Sequence, residues 1–86
     1  MILQIDPHTL ERAEERGVTF EEIKEVLETG LDIQVKNEKL GKTKIFNFKE
    51  YRNNKYYEQK KVDVIYLIKG ETIITVTVYA FYGKWE

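Results

Sequence analysis

The chain has 86 residues, of which 42% are hydrophobic and 34% charged, and its formal net charge at pH 7 is −1. This length predicts a single domain. Cys and Ser are absent, which excludes disulfides, thiolate metal sites and Cys or Ser nucleophiles. No apolar run approaches the roughly 20 residues of a spanning helix, and the first residues lack the pattern of a signal peptide, so we expect a cytoplasmic protein without a membrane partner. The high charged fraction is typical of thermophile proteins.

The charges are unevenly distributed along the chain. Residues 1–32 carry nine acidic and three basic side chains, whereas residues 33–61 carry nine basic and three acidic ones. Such a dipolar domain can present one face to a polyanion although its net charge is close to zero. Lysines that protect exposed strand edges would give the same pattern.

Two short helices are predicted in the first third of the chain. Asp6 and Pro7 are a typical helix start, and Gly17 is a typical stop after Arg16. The segment from Thr19 to Glu22 fits a capping box, which predicts a second helix over residues 20–29. Because the connection between them is so short, the helices must form an αα-hairpin.

Four strands are predicted after the helices. Alternating apolar residues predict strands over 31–37 and 43–51, and β-branched runs predict a long hairpin over 62–68 and 72–82 with its turn at Gly70. Residues 2–5 fit either a short strand or an apolar lead-in. The expected fold is α+β, with the αα-hairpin packed on one face of a four-stranded antiparallel sheet.

The helix and strand periods also predict the core. The expected core comprises Leu10, Ile23, Val26, Leu27, Phe46, Phe48 and one face each of 62–68 and 74–80. If Val76 is enclosed there, Val76→Ala costs about 2–3 kcal/mol.

His8, Arg12 and Arg16 recur every four residues on the first helix, so they form a stripe along one flank. An imidazole beside two guanidinium groups suits phosphate chemistry, because His exchanges protons near neutral pH and Arg binds phosphate bidentately. A solvated helix face explains the same spacing.

The residue types that remain limit the possible chemistry. One His and scattered carboxylates give no metal-ligand spacing, so we expect neither a metal nor a cofactor. RNA cleavage without a metal fits this set, because the substrate's 2′-hydroxyl is the nucleophile and the protein supplies an acid, a base and cations. Tyrosines beside lysines would offer stacking surfaces for unpaired bases. If RNA binds, neutralising Lys42, Lys44 and Lys49 should weaken it.

The segment from His8 to Val18 resembles the opening H-x-x-x-R-x-x-x-R-G-[IV] of the domain of unknown function 4258 family. Residues 61–66 and 74–79 are similar to the last two strands of that family. The resemblance implies a fold like that of the RelE and BrnT toxins, which are small metal-independent ribonucleases, and a cognate antitoxin as partner. The positions that carry over are His8, Arg12 and Arg16, with Tyr66, Thr77 and Tyr79 as binding candidates.

Two hypotheses follow. In the first, the chain is a toxin-type endoribonuclease with His8 as acid or base and Arg12, Arg16 and Lys61 on the phosphate. In the second, it is a non-catalytic module, monomeric or homodimeric, that binds nucleic acid or a partner protein. A concavity that gathers His8, Arg12 and the Thr77/Tyr79 face favours the enzyme, and a His8 far from any cleft favours the module.

Overall fold

The computed structural model describes residues 2–85 and contains two helices and five strands. The elements in chain order are β1 (Ile2–Gln4), α1 (Pro7–Arg16), α2 (Phe20–Thr29), β2 (Leu31–Ile33), β3 (Leu40–Arg52), β4 (Lys55–Lys69) and β5 (Thr72–Gly83). The strands form one sheet in the order β1-β5-β4-β3-β2, and all pairs are antiparallel except β1 with β5. The predicted α+β class is confirmed.

The helix boundaries follow the predicted capping residues. The Asp6 side chain accepts a hydrogen bond from the His8 backbone amide, and Gly17 ends α1 with a φ of 74°. In α2, Thr19 and Glu22 form both hydrogen bonds of the capping box. The short link between the helices therefore folds them back into the predicted hairpin.

The core lies between this hairpin and one face of the sheet, which we call the helix face. Its buried residues come from the two helices, the link between them and the neighbouring strands β4 and β5: Ala13, Val18, Ile23, Val26, Val62, Val64 and Val78. Leu27 and Phe46 are partly buried against them, as expected of residues at the margin of a small core. Leu10, in contrast, is 47% exposed, and its neighbour Thr9 is buried instead.

The sheet differs from the predicted four-stranded meander in one strand. Residues 2–4 pair in parallel with residues 72–74 of β5, so the sheet has five strands and is mixed. A parallel partner that comes from the opposite end of the chain leaves no local turn signal in the sequence. The predicted strand over 31–37 also ends early, at Ile33, and residues 34–39 form a loop.

A register shift in β5 changes which residues face the core. Ile65 pairs with Thr77 but Tyr66 pairs with Thr75, so Val76 is an extra residue in a β-bulge. Thr75 is consequently buried on the helix face, while Val76 is only partly buried and lies on the opposite side. The expectation that Val76 is a central core residue is therefore wrong, and Val78 has that position.

Candidate functional site

The sheet face turned away from the helices, which we call the outer face, has no helical cover. Strand alternation and the pairing register place on it Gly41, Thr43 and Ile45 from β3, Lys61, Asp63 and Ile65 from β4, and Thr77, Tyr79 and Phe81 from β5. Three large side chains in this set are more than 40% exposed, namely Ile45, Tyr79 and Phe81. Exposed aromatic and aliphatic side chains grouped on one sheet face are typical of an interaction surface.

The loop of residues 34–39 folds over one half of the outer face. Gly41 permits this, because a Cβ at that position would lie only 2.6 Å from Val35 and 2.8 Å from Ile33. The loop reverses direction at Asn37 and Glu38, which both have positive φ values. The close approach at Gly41 thus places the loop residues Lys36 and Lys39 beside the strands β4 and β5.

Loop and sheet together enclose an open cavity of about 380 Å³. Its floor includes Asp63, Ile65, Thr77 and Tyr79, and its wall is formed by residues 33–37 together with Lys39. Lysine ammonium groups, a tyrosine ring, a threonine hydroxyl and one carboxylate therefore border the same space. This combination suits a ligand that has both an anionic part and a flat hydrogen-bonding part.

Two cations lie against aromatic rings on the outer face. The Arg16 guanidinium carbon is 5.4 Å from the centre of the Tyr79 ring, and the Lys61 ammonium nitrogen is 5.4 Å from the centre of the Phe81 ring. Both separations are within the range of cation–π attraction. Tyr79 and Phe81 are two residues apart on β5, so the strand presents two neighbouring rings, each with a positive charge beside it.

Asp63 is the single acidic side chain described in the lining of this cavity. It pairs across the strands with Tyr79 on one side and Thr43 on the other. The Thr43 hydroxyl donates a hydrogen bond to Asp63 Oδ1, which fixes the carboxylate, and no described Lys or Arg forms an ion pair with it. Asp63 therefore keeps acceptor capacity that faces the cavity.

The predicted stripe on α1 is present but does not line the cavity. His8 is exposed and is absent from the walls of the described cavities. Arg12 forms an ion pair with Glu15 at 3.0 Å. Arg16 donates to the backbone carbonyl of Val78 at 3.1 Å, beyond the end of the β1–β5 pairing. The structure thus brings Arg16 to Tyr79 and leaves His8 and Arg12 on the helix surface.

Part of the opening motif has a structural explanation. Arg16 satisfies a carbonyl at an unpaired strand edge, Gly17 adopts the left-handed conformation, and Val18 is buried in the core. The carbonyl groups at the end of α1 accept hydrogen bonds from Arg52, Tyr82 and Lys60, each of which belongs to the sheet. These contacts attach the helix end to the sheet.

The binding candidates from the strands are divided between the two faces. Thr77 and Tyr79 both line the cavity. Tyr66 is 6% exposed and lies on the helix face, because it pairs with the buried Thr75 beyond the β-bulge. Lys61 is on the outer face at Phe81 and also borders a second cavity of about 260 Å³, beside Leu31 and Ile45.

The sequence did not single out Lys36, Lys39 and Asp63. The one available signal for Asp63 was a carboxylate in the middle of an apolar strand. Lys42 and Lys44 were expected to contribute to RNA binding, but they form ion pairs with Asp32 at 2.8 Å and Glu25 at 2.7 Å. The hydrogen bond to Asp32 raises the pKa of Lys42 above its usual 10.5. These two lysines are therefore less available to a polyanion than Lys36 and Lys39.

Within residues 2–85, no group of three or more metal-ligating side chains is placed to hold an ion. None of the helices described is long and apolar enough to cross a membrane.

Comparison with known protein families gives a match. The model of the family described as domain of unknown function DUF4258 matches residues 5–80. Neither the curated proteins nor the solved structures contain a match.

Proposed function

The chain belongs to the family of domains of unknown function DUF4258, and we propose that it binds single-stranded RNA on the outer face of its sheet. The observation that carries the proposal is the pair of exposed rings, Tyr79 and Phe81, each with a cation against it and with a lysine-lined cavity alongside. Proteins that bind single strands combine stacking on aromatic rings with cations along the backbone. This is the non-catalytic module expected as one of two alternatives.

The site favours unpaired bases over a duplex. A ring can stack on a base only where the base is not already stacked between its neighbours within a helix. Tyr79 and Phe81 lie on adjacent outward positions of one strand, so successive bases could occupy them. Lys36, Lys39 and Lys61 then supply charge for the intervening phosphates.

The stacking contribution is tested by fluorescence anisotropy with a labelled 12-nucleotide single-stranded RNA. Tyr79→Ala and Phe81→Ala should each weaken binding about tenfold, because base stacking contributes roughly 1–3 kcal/mol. Tyr51→Ala is the matched control, since Tyr51 is 73% exposed but lies near the β3–β4 turn, away from the cavity. Equal effects of the three substitutions would contradict the assignment of the outer face.

The electrostatic contribution is tested by the dependence of the dissociation constant on salt. Replacing Lys36 and Lys39 with Gln should reduce the logarithmic salt slope by about 1.4, because each phosphate contact to a single strand contributes about 0.7. Lys24 and Lys69, which are exposed on α2 and at the end of β4, provide the control pair. Neutralising the ion-paired Lys42 and Lys44 should have a smaller effect than neutralising the loop lysines.

The endoribonuclease with a RelE/BrnT-like fold is the second candidate. It is favoured by the presence of Tyr79, Asp63 and two lysines around one cavity, since such groups can exchange protons and neutralise phosphate charge. The sequence-based assignment for this candidate makes His8 the acid or base and places Arg12, Arg16 and Lys61 on the phosphate, although His8 and Arg12 do not line this cavity. A cognate antitoxin is the expected protein partner.

Incubation of the purified protein with RNA in EDTA at pH 5–9 separates the two candidates. Cleavage that falls by about 100-fold or more in His8→Ala, with an unchanged melting temperature, would support the enzyme. Cleavage that persists in His8→Ala but is lost in Tyr79→Phe would indicate that Tyr79, and not His8, is the acid or base. Binding without cleavage over the whole pH range would leave the RNA-binding module.

A further inference from the structure

The acidic residue at the floor of the cavity does not fit a site that holds phosphate alone. Asp63 lies between Thr43 and Tyr79 in the middle of the outer face, and the lysines of residues 34–39 form the wall of the same cavity. A carboxylate repels phosphate, so the backbone of a bound strand should follow the lysines. In a bound RNA strand, the part that reaches Asp63 is therefore a base edge with hydrogen-bond donors.

We infer that Asp63 reads the Watson–Crick edge of a guanine whose ring stacks on Tyr79. This inference rests on the proposed binding of single-stranded RNA and names the base that the site prefers. Guanine is the RNA base whose Watson–Crick edge carries two adjacent donors, N1–H and the N2 amino group, and a carboxylate accepts two such hydrogen bonds side by side.

The other bases match this arrangement poorly. Adenine and cytosine each place a ring-nitrogen acceptor beside their amino group, and uracil places its one N–H between two carbonyls. With each of these bases, at least one acceptor atom would face a carboxylate oxygen, which is itself an acceptor. The two atoms would repel each other instead of forming a hydrogen bond. A carboxylate at this position thus discriminates against all three.

The geometry provides both the stacking surface and the reading group. Residues directly opposite on antiparallel strands have Cβ atoms about 4.5–5.5 Å apart, and Tyr79 is directly opposite Asp63. A base on the Tyr79 ring therefore has an edge within reach of the carboxylate. The hydrogen bond from Thr43 restricts rotation of the Asp63 side chain, and each carboxylate oxygen retains a free lone pair.

The preference is measured by anisotropy with four labelled single-stranded RNAs. Each is a run of uridines that carries guanosine, inosine, adenosine or uridine at its centre. The wild-type protein should bind the guanosine oligonucleotide about tenfold more tightly than the adenosine and uridine ones, since a bidentate base contact is worth roughly that factor. Inosine, which lacks the N2 amino group, should give an intermediate affinity.

Asp63→Asn tests the carboxylate directly, because the amide keeps the shape and can still accept the hydrogen bond from Thr43. This variant should lose the preference for guanosine, because an amide presents one acceptor and one donor group and cannot accept both hydrogen bonds from guanine. Glu71→Gln removes the same charge from the exposed β4–β5 turn and should retain the guanosine preference. Circular dichroism melting curves confirm that both variants are folded.

The outcomes separate this inference from the proposal on which it rests. Wild-type protein that binds all four oligonucleotides equally, or Asp63→Asn protein that retains the guanosine preference, would overturn the role of Asp63 and leave RNA binding intact. Wild-type protein that binds none of them would overturn both.

Discussion

Two buried threonines differ in whether their hydroxyl groups have a partner. Thr9 and Thr75 are 0% and 1% exposed. The Thr75 hydroxyl accepts a hydrogen bond from the Asp6 backbone amide at 3.1 Å, whereas Thr9 Oγ1 has no partner among the described residues. An unsatisfied buried hydroxyl reduces stability, and a satisfied one maintains it.

Replacing each threonine with valine should therefore have opposite effects. Thr9→Val should stabilise the protein by about 1 kcal/mol, because it removes an unpaired polar atom without changing the volume. Thr75→Val should destabilise it by about 1–3 kcal/mol, because the Asp6 amide loses its acceptor. Urea unfolding of both variants gives the comparison, and shifts in the same direction would contradict it.

Tyr82 makes the stability depend on pH in the alkaline range. Burial raises the pKa of Tyr82 above its usual 10.0, although the Arg52 guanidinium partly opposes this. The folded state holds the phenolic proton more tightly than the unfolded state does. Its contribution to stability is therefore complete below about pH 10 and is lost as the pH rises through the pKa of the folded protein.

Tyr82→Phe should accordingly flatten the decline of the melting temperature between pH 9 and 11. The substitution also removes the hydrogen bond to the Arg16 carbonyl, so the variant should be less stable at pH 7. Tyr51→Phe, at an exposed position, is the control and should retain the wild-type pH profile. A Tyr82→Phe profile parallel to that of the wild type would show that another group causes the alkaline loss.

Among the single elements, β5 is the strand in which a β-bulge determines which side chains face the helices. Because Val76 is an extra residue, Thr75 before it and Val78 after it both lie on the helix face, while Thr77 and Tyr79 lie on the outer face. It thus determines both which valine is in the core and which side chains line the cavity. An insertion or deletion of one residue here would exchange the two faces of the strand.

Val78→Ala and Val76→Ala form a matched pair that tests this arrangement. Val78 is 0% exposed, so its truncation should cost about 2 kcal/mol and lower the melting temperature by on the order of 10 °C. Val76 is only partly buried and should cost less than about 1 kcal/mol. The reverse order would mean that the strand lacks the bulge in solution.

Local signals predicted the helices and the long hairpin well. The capping box at Thr19 and the positive φ of Gly70 are properties of a few neighbouring residues, and both are present. β1 and the bulge at Val76 depend on pairing between distant segments, so no local pattern marks them. The parallel pairing of residues 2–4 with 72–74 joins opposite ends of the chain.

The candidate site likewise combines residues that local sequence patterns indicated with residues that only long-range packing brings there. The family resemblance of residues 74–79 indicated Thr77 and Tyr79, and both line the cavity. Lys36 and Lys39 reach it only because Gly41 lets the loop approach the sheet, which is a long-range packing effect. The periodicity of α1 predicted a stripe of one imidazole and two guanidinium groups, but Arg16 donates a hydrogen bond to the Val78 carbonyl.

Across the whole molecule, the sheet separates two electrostatic environments. The helices carry most of the acidic residues of the first third of the chain, and they cover one face. The outer face presents Lys36, Lys39 and Lys61 with few acids nearby. A polyanion should therefore approach with one preferred orientation, although the net charge is −1.

Mapping of amide chemical shifts by NMR tests the outer-face assignment most directly. A ¹⁵N-labelled sample is titrated with the single-stranded RNA that carries one central guanosine. We predict that the largest shifts fall in residues 36–39, 61–65 and 77–81, and that the exposed side of α2 does not respond. Shifts concentrated on α1 around His8, or the absence of any shift at saturating RNA, would contradict RNA binding on the outer face.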